Sequence, residues 1–474
     1  MNDFLYDLLG VRDRLVMDPV HGGITLFNHE VEVIDHPLFQ RLRYICQNDI
    51  LSLVFPGATH SRFLHSIGTL HVGSRMFQSL IESALRRYRD GGHGRPSEAQ
   101  LAGIAYMARL VRLACLLHDC GHSSFSHQFA QARTIRNLLS ENGRFEALWQ
   151  GLDWSQFHDA PPTVLEHEHY SIRCAHEILT TVASAEVNRL AQDVLLLMDT
   201  TALSPGTTFR YHAQQLWPLL TLETEAPDDA GELTAGLFRH LISGEIDADR
   251  ADYMLRDGFH SSVTLGGFNL DHLLKNMHVG WAPDTRWLGI GITPKGLGAL
   301  EDFVYSRYQM YRKVYGHKTS IGFDWLLRQA IDEVLENAGH RNYIDTCLSS
   351  LSAFQTLTDN FFWEAFRRHA VECPDSASHD LVYRRRLKHI HSAENLDATT
   401  SAAWVKTLAE REKLSDTRII CCTLKARFSK IRQGYDDIRV LQGGRYRDIN
   451  ECSAFFGKFQ DQTLYHYYIN PRNA

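Results

Sequence analysis

The spacing of hydrophobic residues predicts a mostly helical protein. Apolar side chains recur every three to four residues, the repeat of one helix face, in six segments. The segments cover residues 72–86, 100–117, 170–182, 187–198, 297–315 and 321–338. Turn-rich breaks at 87–97, 203–208 and 223–232 separate some of them.

Strand signals are fewer. Residues 14–26 predict a short hairpin around Gly22 and Gly23, and residues 287–292 predict another strand. Segments 418–424 and 438–441 suggest a small α/β region near the C-terminus. We therefore expect a mainly α fold with a few short strands. A helical catalytic core would span 1–340, and a smaller mixed α/β lobe for regulation and oligomerisation would span 341–474.

Composition narrows the class of protein. The chain has 474 residues, 44% of them hydrophobic and 22% charged, which is typical of a globular protein. A net charge of −7 argues against a general nucleic-acid or membrane binder. Nine cysteines in no disulfide or zinc-site spacing favour reduced thiols. Because no apolar run of membrane-spanning length and no signal peptide is evident, we expect a cytoplasmic protein.

The strongest chemical signal is the pair His118–Asp119, which follows the apolar segment 107–117. An imidazole and a carboxylate at the end of a buried helix are costly to desolvate unless they bind something. His65 upstream and Asp249 downstream complete a set of two neutral nitrogen and two anionic oxygen donors. Any one of these histidines alone would be read as a core histidine, but the four in this order favour a metal site with open positions.

The order His, His-Asp, Asp is the pattern of the HD-domain phosphohydrolases, and other segments extend the likeness. From Arg14 to about Lys388 the sequence resembles deoxynucleoside triphosphate triphosphohydrolases of the sterile-alpha-motif/HD-domain kind. The matching segments are DPVHG at 18–22, IDHPLFQRLRYI at 34–45, VFPGATHSRFLHS at 54–66, VYGHK at 314–318 and LTDN at 357–360. Only about a dozen residues precede Arg14, so we expect no sterile-alpha-motif domain before the core.

The resemblance implies metal-dependent hydrolysis of dNTPs to a deoxynucleoside and inorganic triphosphate. Such an enzyme would adjust dNTP pools or deplete them as an antiviral or antiphage defence. The implied metal ligands are His65, His118, Asp119 and Asp249, holding Fe, Mn or Zn, with Mg²⁺ on the nucleotide phosphates. The implied catalytic residues are His122, His127, His167 and Glu168, with His127 as the general acid.

The resemblance also implies a substrate-binding set. Its members would contact the phosphates and the sugar, and Tyr315 would exclude a 2′-hydroxyl. They are Gln47, Arg62, Arg250, Tyr253, Asp257, Arg307, Tyr315 and Lys318. Four positions depart from the family: Arg250 replaces Lys, Ala130 replaces Asp, Asn48 replaces Leu and Gly316 replaces Gln. Asn48 stands where the family has a Leu packing beside the sugar, and Gly316, at the position that faces the base, leaves the base preference open.

Nucleotide activation is a further implication. Asp35, Gln40 and Arg43 match residues that read guanine at an activator site. The alternative is that these three form a salt-bridge network at a helix start. Cationic positions of an activator site are matched by Arg14, Lys295, Arg384 and Lys388, whereas His272 and Asn276 depart from it. A ligand that bridges subunits would imply a homotetramer or a homodimer.

Two other functions stay open. The first is a nucleotide phosphatase or phosphodiesterase on the same core, acting on a nucleotide signal or nucleic acid. The second is a nucleotide-sensing or nucleic-acid-binding module, for which the basic run at 384–389 is a weak indication because such runs are usually solvated. Release of intact triphosphate would distinguish the predicted enzyme from both.

Overall fold

The computed structural model describes residues 3–157, 160–198, 203–263, 267–426, 438–458 and 461–472. Helices dominate this part of the chain, and the strands form a few small sheets, so the predicted mainly α fold is confirmed.

The α-helices are α1 Asp3–Leu9, α2 Asn28–Asp35, α3 Pro37–Gln40, α4 Arg62–Asp90, α5 Glu98–Leu117, α6 Ser126–Gln131, α7 Arg133–Leu139, α8 Arg144–Leu148, α9 His167–Thr181, α10 Ala185–Met198, α11 Thr207–Thr221, α12 Ala230–Arg239, α13 Ala248–Ser261, α14 Leu270–Lys275, α15 Leu297–Met310, α16 Lys318–Val334, α17 Ala338–Ser349, α18 Leu351–Phe354, α19 Asp359–Glu372, α20 Ala377–Val382, α21 Ala398–Glu412, α22 Ile449–Cys452 and α23 Ala454–Lys458. Short 3₁₀ turns cover Arg41–Tyr44, Leu51–Leu53, Trp154–Gln156, Pro294–Gly296 and Asp416–Arg418. The strands are β1 Arg12–Asp18, β2 Gly22–Phe27, β3 Met277–Ala282, β4 Trp287–Ile292, β5 Lys388–Glu394, β6 Ile419–Ala426, β7 Ile438–Gln442, β8 Arg445–Asp448 and β9 Gln462–Ile469.

Helix α5 lies at the centre of the core. Ser97 starts it with a capping box, in which its hydroxyl accepts from the Gln100 amide and the Gln100 side chain accepts from the Ser97 amide. Among the described helices, α5 alone has the length and hydropathy of a membrane span, but 83% of that stretch is buried inside the protein. The C-terminal end of α5 therefore leads directly from the core to the predicted metal ligands His118 and Asp119.

The six predicted helical segments are confirmed, with shifted ends. Helix α4 begins at Arg62, upstream of the predicted start, and so it includes His65. The segment 297–315 is α-helical only to Met310 and continues as a π-helical turn, Tyr311–Tyr315. In that turn the Gly316 amide donates to the Tyr311 carbonyl at 2.7 Å, the five-residue hydrogen bond of a π-helix.

The predicted N-terminal hairpin is also present, as the antiparallel pair β1 and β2. Its turn, however, lies before Gly22, because Gly22 pairs with Asp18 and Gly23 pairs with Met17. Gly22 and Gly23 therefore begin β2 instead of forming the turn. Gly22 has a φ of +74°, which glycine adopts without strain.

Two further sheets involve the C-terminal part of the chain. One has the order β3-β4-β7-β8, in which β4 and β7 are parallel and Ile290 faces Ile438. The other has the order β5-β9-β6. Strand β3 was not predicted, since it carries an interior Gly280 and is buried on both faces at its start, which gives no alternating pattern. The proposed division at residue 340 stays a prediction. The two parts share a sheet, because β7 from the second part pairs with β4 from the first.

A buried ion pair links the hairpin side of the core to α5. The Arg112 guanidinium binds both Glu30 carboxylate oxygens and donates to the Ser74 hydroxyl at 2.8 Å and the Thr25 carbonyl at 3.0 Å. The two charged side chains are 1% and 0% exposed. The pair therefore fixes β2 and α2 against the helix that carries His118.

We expect Arg112→Leu to lower the free energy of unfolding by about 3–5 kcal/mol, because the Glu30 carboxylate would stay buried without its partner. Urea denaturation measures this loss. The matched control is Arg368→Leu, since the exposed Arg368–Glu364 pair should contribute less than about 1 kcal/mol. Equal losses in the two variants would contradict the structural role of the buried pair.

Candidate metal centre and active-site cavity

Three helices bring the predicted metal ligands together. His65 lies in the first turns of α4, His118 and Asp119 follow the end of α5, and Asp249 lies in the first turn of α13. Asp247 caps α13 by accepting from the Arg250 amide at 2.7 Å, which fixes the turn that carries Asp249. One ligand atom from each of the four residues lies within 4.8 Å of every other.

The hydrogen bonds of the two histidines fit a metal site. His65 Nδ1 lies 2.8 Å from Asp252 Oδ2, and His118 Nδ1 lies 2.8 Å from the Cys115 carbonyl. Neither buried Nε2 atom has a well-aligned hydrogen-bond partner within the described part of the chain, and the two atoms lie 3.0 and 3.5 Å from Asp249 Oδ1. Because Nδ1 donates, each Nε2 presents a lone pair toward Asp119 and Asp249. The four residues can hold a divalent metal ion.

Asp252 is a buried carboxylate that orients His65. It also lies 2.6 Å from His21 Nε2 and accepts from Arg256 Nε at 2.8 Å and Nη2 at 2.9 Å. Arg256 in turn donates to Asp18 at 2.8 Å. Burial opposes ionisation, but the Arg256 charge and these hydrogen bonds hold the pKa of Asp252 well below its usual range. Asp252 therefore remains an ionised acceptor for the His65 ring.

Gly68 allows α4 to approach this network. A Cβ atom at Gly68 would lie 2.0 Å from Asp252 Oδ1 and 2.2 Å from Arg256 Nη2. No side chain fits there, so the close packing of α4 on α13, and with it the placement of His65 beside Asp249, requires glycine at this position.

A second histidine group adjoins the metal ligands. The rings of His122 and His167 stack with centroids 4.0 Å apart, and the His127 ring meets them edge-on at 5.2 and 5.0 Å. These three residues also have ligand atoms close enough to hold a metal ion. Burial lowers the pKa of all three, that of His167 to about 3. Glu168 lies 3.1 Å from His167 Nδ1, so the predicted His-Glu pair is in contact.

A further residue, which the sequence analysis did not single out for the site, holds the loop between the metal ligand Asp119 and His127 of the second histidine group. Asp359, within the LTDN segment, accepts from the Phe125 amide at 2.9 Å and the Cys46 amide at 2.8 Å. Phe125 and Ser126 both have left-handed backbone, with φ of 49° and 46°. The Asp359 carboxylate thus stabilises the strained turn that positions His127.

Both groups open onto one cavity of about 760 Å³. It brings together most of the predicted catalytic, metal-binding and substrate-binding residues. The predicted residues in its lining are Gln47, Arg62, Asp119, His122, His127, His167, Glu168, Asp249, Arg250, Tyr253, Asp257, Arg307 and Tyr315. Lys318 does not line it and is exposed at the start of α16.

Three arginines line the cavity together with the predicted metal ligands Asp119 and Asp249. Arg62 donates to Asp119 Oδ2 at 2.6 Å and to the Ser126 hydroxyl at 2.7 Å, so it also orients a predicted metal ligand. Arg250 lies 3.2 Å from Glu245 and 3.4 Å from Asp247. Arg307 lies nearby, its guanidinium 5.6 Å from the Tyr311 ring centre.

An aromatic wall adjoins these arginines. The Tyr315 hydroxyl donates to Asp257, whose other carboxylate oxygen lies 2.8 Å from His60 Nε2. Burial and the Asp257 charge raise the pKa of Tyr315 well above its usual range, so the phenol stays protonated. The ring centres of Tyr253 and Tyr315 are 6.5 Å apart. Hydrogen bonding to Asp257 therefore fixes the Tyr315 ring at the cavity wall.

The residues predicted for an activator site lie outside this cavity. Arg14 forms a two-fold hydrogen bond with Asp35 at 3.0 and 2.9 Å, and Arg43 donates to Gln40 at 2.7 Å. Gln40 also donates to the Ile34 carbonyl at 2.8 Å. Of these pairs, only Arg14–Asp35 is a salt bridge, and both the nucleotide site and the alternative salt-bridge network at a helix start stay predictions.

The other residues predicted for an activator site contact different parts of the chain. Arg384 donates to the Leu53 carbonyl at 2.7 Å, and Lys388 lies 3.1 Å from Glu412. Lys295 is exposed in a 3₁₀ turn, where its carbonyl lies 3.3 Å from His272 Nε2. Within the described ranges, no hydrogen bond or ion pair joins these three to the Arg14–Asp35 group.

Comparison with known proteins agrees with this arrangement. No protein-family model matches the chain. The deoxynucleoside triphosphate triphosphohydrolase SAMHD1 of Bos taurus is 26% identical over 362 residues, 74% of this chain and 54% of that protein. Its Gallus gallus counterpart is 27% identical over 378 residues, 77% and 53% of the two chains. The chain is therefore similar to these triphosphohydrolases over about three quarters of its length. It spans about half the length of the curated relatives that it matches.

Two solved structures share the fold of this chain. A phosphohydrolase from Bacteroides thetaiotaomicron superposes with a TM-score of 0.63 at 21% identity, covering 97% of this chain and all of the other. A hypothetical protein from Aquifex aeolicus gives the same TM-score at 22% identity, covering 97% of both chains. The fold is therefore shared over nearly the whole length, including the C-terminal sheets.

We expect Asp252→Asn to weaken metal binding about 10- to 100-fold, because the His65 ring loses the carboxylate that orients it. Calorimetric titration with Mn²⁺ measures the Kd, and far-UV circular dichroism shows that the variant is folded. Asp271→Asn is the control, since Asp271 pairs with Arg75 on the surface. An unchanged Kd in Asp252→Asn would contradict the orienting role.

Proposed function

We propose that the protein is a metal-dependent dNTP triphosphohydrolase, which releases a deoxynucleoside and inorganic triphosphate. One observation carries the proposal: a set of two nitrogen and two oxygen ligands opens onto a cavity lined by Arg62, Arg250 and Arg307. The names of the relatives support the same reaction.

The proposed cofactor is Fe, Mn or Zn, held by His65, His118, Asp119 and Asp249, with Mg²⁺ accompanying the nucleotide phosphates. A metal bound there would supply Lewis acidity toward a phosphate group and a water molecule. Arg62 assists by holding the Asp119 carboxylate in place. The remaining steps fall to side chains of this chain.

The arginines bind the triphosphate. A triphosphate carries about four negative charges, so it requires several cations in a partly desolvated site. Arg250 and Arg307 are 7% exposed and line the cavity beside the metal ligands. They would place the α-phosphate at the metal end and leave the nucleoside in the rest of the cavity.

His127 is the proposed general acid. Burial and the Arg62 charge lower its pKa, so the ring is neutral in the free protein. The negative charge of a bound triphosphate would favour protonation of a ring nitrogen. That proton would go to the 5′-oxygen as it leaves phosphorus. The stacked pair of His122 and His167, with Glu168, would orient His127 from the other side.

Tyr315, Tyr253, Asp257 and Gln47 would form the sugar site. The Tyr315 ring, fixed by Asp257, would contact the 2′ position closely and exclude a ribose hydroxyl. Gln47 Oε1 is buried and has no hydrogen-bond partner among the described residues, so it is free to accept from the 3′-hydroxyl. This arrangement would select deoxynucleotides over ribonucleotides.

The proposal extends to biology and regulation. Hydrolysis of dNTPs would control their pools or deplete them against a virus or phage. The surface formed by Arg14, Asp35, Gln40 and Arg43 is the proposed activator site, with a homotetramer or homodimer as the active assembly. An activator nucleotide that binds there would replace the side-chain pairs Arg14–Asp35 and Arg43–Gln40, and this replacement would be the switch.

The experiment is chromatographic product analysis. Purified protein with Mn²⁺, Fe²⁺ or Mg²⁺ receives each dNTP alone and in mixtures, with GTP or dGTP as activator. We expect a deoxynucleoside and intact triphosphate, because the metal end of the cavity fits the α-phosphate. A monophosphate product would instead favour the nucleotide phosphatase or phosphodiesterase.

The matched variant for this assay is the double substitution His118→Ala and Asp119→Ala. It should abolish turnover and reduce bound metal while leaving the helical content unchanged. The control is His93→Ala, an exposed histidine in the turn after α4. Full activity of the double variant would refute the metal assignment.

A further inference from the structure

The residues proposed to bind the sugar are supported from behind by His60, to which the proposed reaction gives no role. His60 lies in the loop before α4 and does not line the cavity. Its ring Nε2 lies 2.8 Å from Asp257 Oδ1, and its backbone carbonyl accepts from the Gln47 amide at 3.0 Å. One residue behind the cavity wall therefore contacts two of the residues in the proposed sugar site.

The hydrogen bond between His60 and Asp257 is buried. The two side chains are 0% and 2% exposed. His60 Nδ1 is also buried, and it has no hydrogen-bond partner within the described part of the chain. Because a carboxylate faces Nε2 and no acceptor faces Nδ1, the ring proton lies on Nε2 and is donated to Asp257. Little water reaches this pair, so no solvent molecule would replace the donor if the ring were removed.

Asp257 links this hydrogen bond to Tyr315. The second oxygen of the Asp257 carboxylate accepts from the Tyr315 hydroxyl. Asp257 lies on α13, whereas Tyr315 ends the π-helical turn. A carboxylate with one donor on each oxygen cannot rotate without breaking one of the two hydrogen bonds. The His60 ring therefore determines where the Tyr315 hydroxyl lies, and with it the ring that is proposed to exclude a 2′-hydroxyl.

The position of the His60 ring is itself fixed by packing. The ring stacks on that of His260, with centroids 4.4 Å apart and planes 20° from parallel. His260 lies three residues after Asp257 on α13, so both side chains are on one face of the helix. A Cβ atom at Gly57 would lie 2.4 Å from the His260 carbonyl oxygen, so the loop approaches α13 this closely only with glycine there.

We propose that His60 is a positioning residue that sets the preference for deoxyribose over ribose. It acts by orienting Asp257 and, through Asp257, Tyr315, and it does not touch the substrate. This inference rests on the proposed function, since it explains the sugar preference of the same cavity. A purely structural role for His60 would change the stability of the protein but would not depend on an N–H donor at this position.

The test is direct binding of two matched ligands, the non-hydrolysable α,β-imido analogues of dATP and ATP. They differ only at the 2′ position, and both carry adenine because the predicted activator site would read guanine. Isothermal calorimetry with Mg²⁺ gives the Kd of each. We expect the wild-type protein to bind the deoxy analogue about 100-fold more tightly, since a close apolar wall rejects an added hydroxyl by roughly this factor.

Three variants of His60 locate the preference. His60→Phe keeps a ring that stacks on His260 but removes the donor, so we expect the 100-fold ratio to fall about tenfold, the order of one hydrogen bond to a charged group. His60→Met also lacks the donor and should show the same fall. His60→Gln has nearly the shape of the Met variant but places an N–H near the position of Nε2, so it should keep most of the ratio.

The control is His93→Phe, the same substitution at an exposed histidine in the turn after α4, which should keep the 100-fold ratio. Thermal denaturation shows which variants are folded. The pair of Met and Gln variants carries the test if the Phe variant does not fold.

The outcomes separate this inference from the proposed function. A 100-fold ratio that persists in the Phe and Met variants would overturn the positioning role of His60. An equal fall in the Gln variant would overturn the role of the N–H donor. Equal and measurable binding of both analogues by the wild-type protein would overturn the inference but leave a nucleotide site. Binding of neither analogue would overturn the proposed function as well.

Discussion

The structure depends on one buried carboxylate, that of Asp252. It accepts from His65 on α4 and from Arg256 on its own helix α13, and it contacts His21 in the turn of the N-terminal hairpin. A buried charge is tolerated only when its partners are in place, so this network fixes α4, α13 and the hairpin together. Gly68 permits the approach. The metal ligands His65 and Asp249 are adjacent because these helices cannot separate.

The same packing gives the cavity its polarity. Arg62, Arg250 and Arg307 line it together with the predicted metal ligands Asp119 and Asp249. In the proposed function, the triphosphate of a dNTP is the ligand that the metal ion and the arginines bind.

Much of this arrangement could be predicted from the sequence, and the exceptions have physical reasons. Helical periodicity predicted α5 and α16, and the order of His and Asp residues predicted the ligand group. Strand β3 could not be predicted, because its interior glycine and its burial on both faces at its start give no alternating pattern, although its partner β4 is the next strand along the chain. Asp252 and Asp359 were missed as site residues because a carboxylate acting through its neighbours resembles any helix-surface or capping residue in sequence. Lys318 shows the converse, since its segment matches the family but its side chain is exposed.

The central claim is that His65, His118, Asp119 and Asp249 together hold one metal ion. The most direct measurement is anomalous diffraction from crystals grown with Mn²⁺. We expect a single strong peak about 2.0–2.3 Å from both Nε2 atoms and from one oxygen of each carboxylate. A peak among His122, His127 and His167 with none at the first group would contradict the account, and so would no peak at either group.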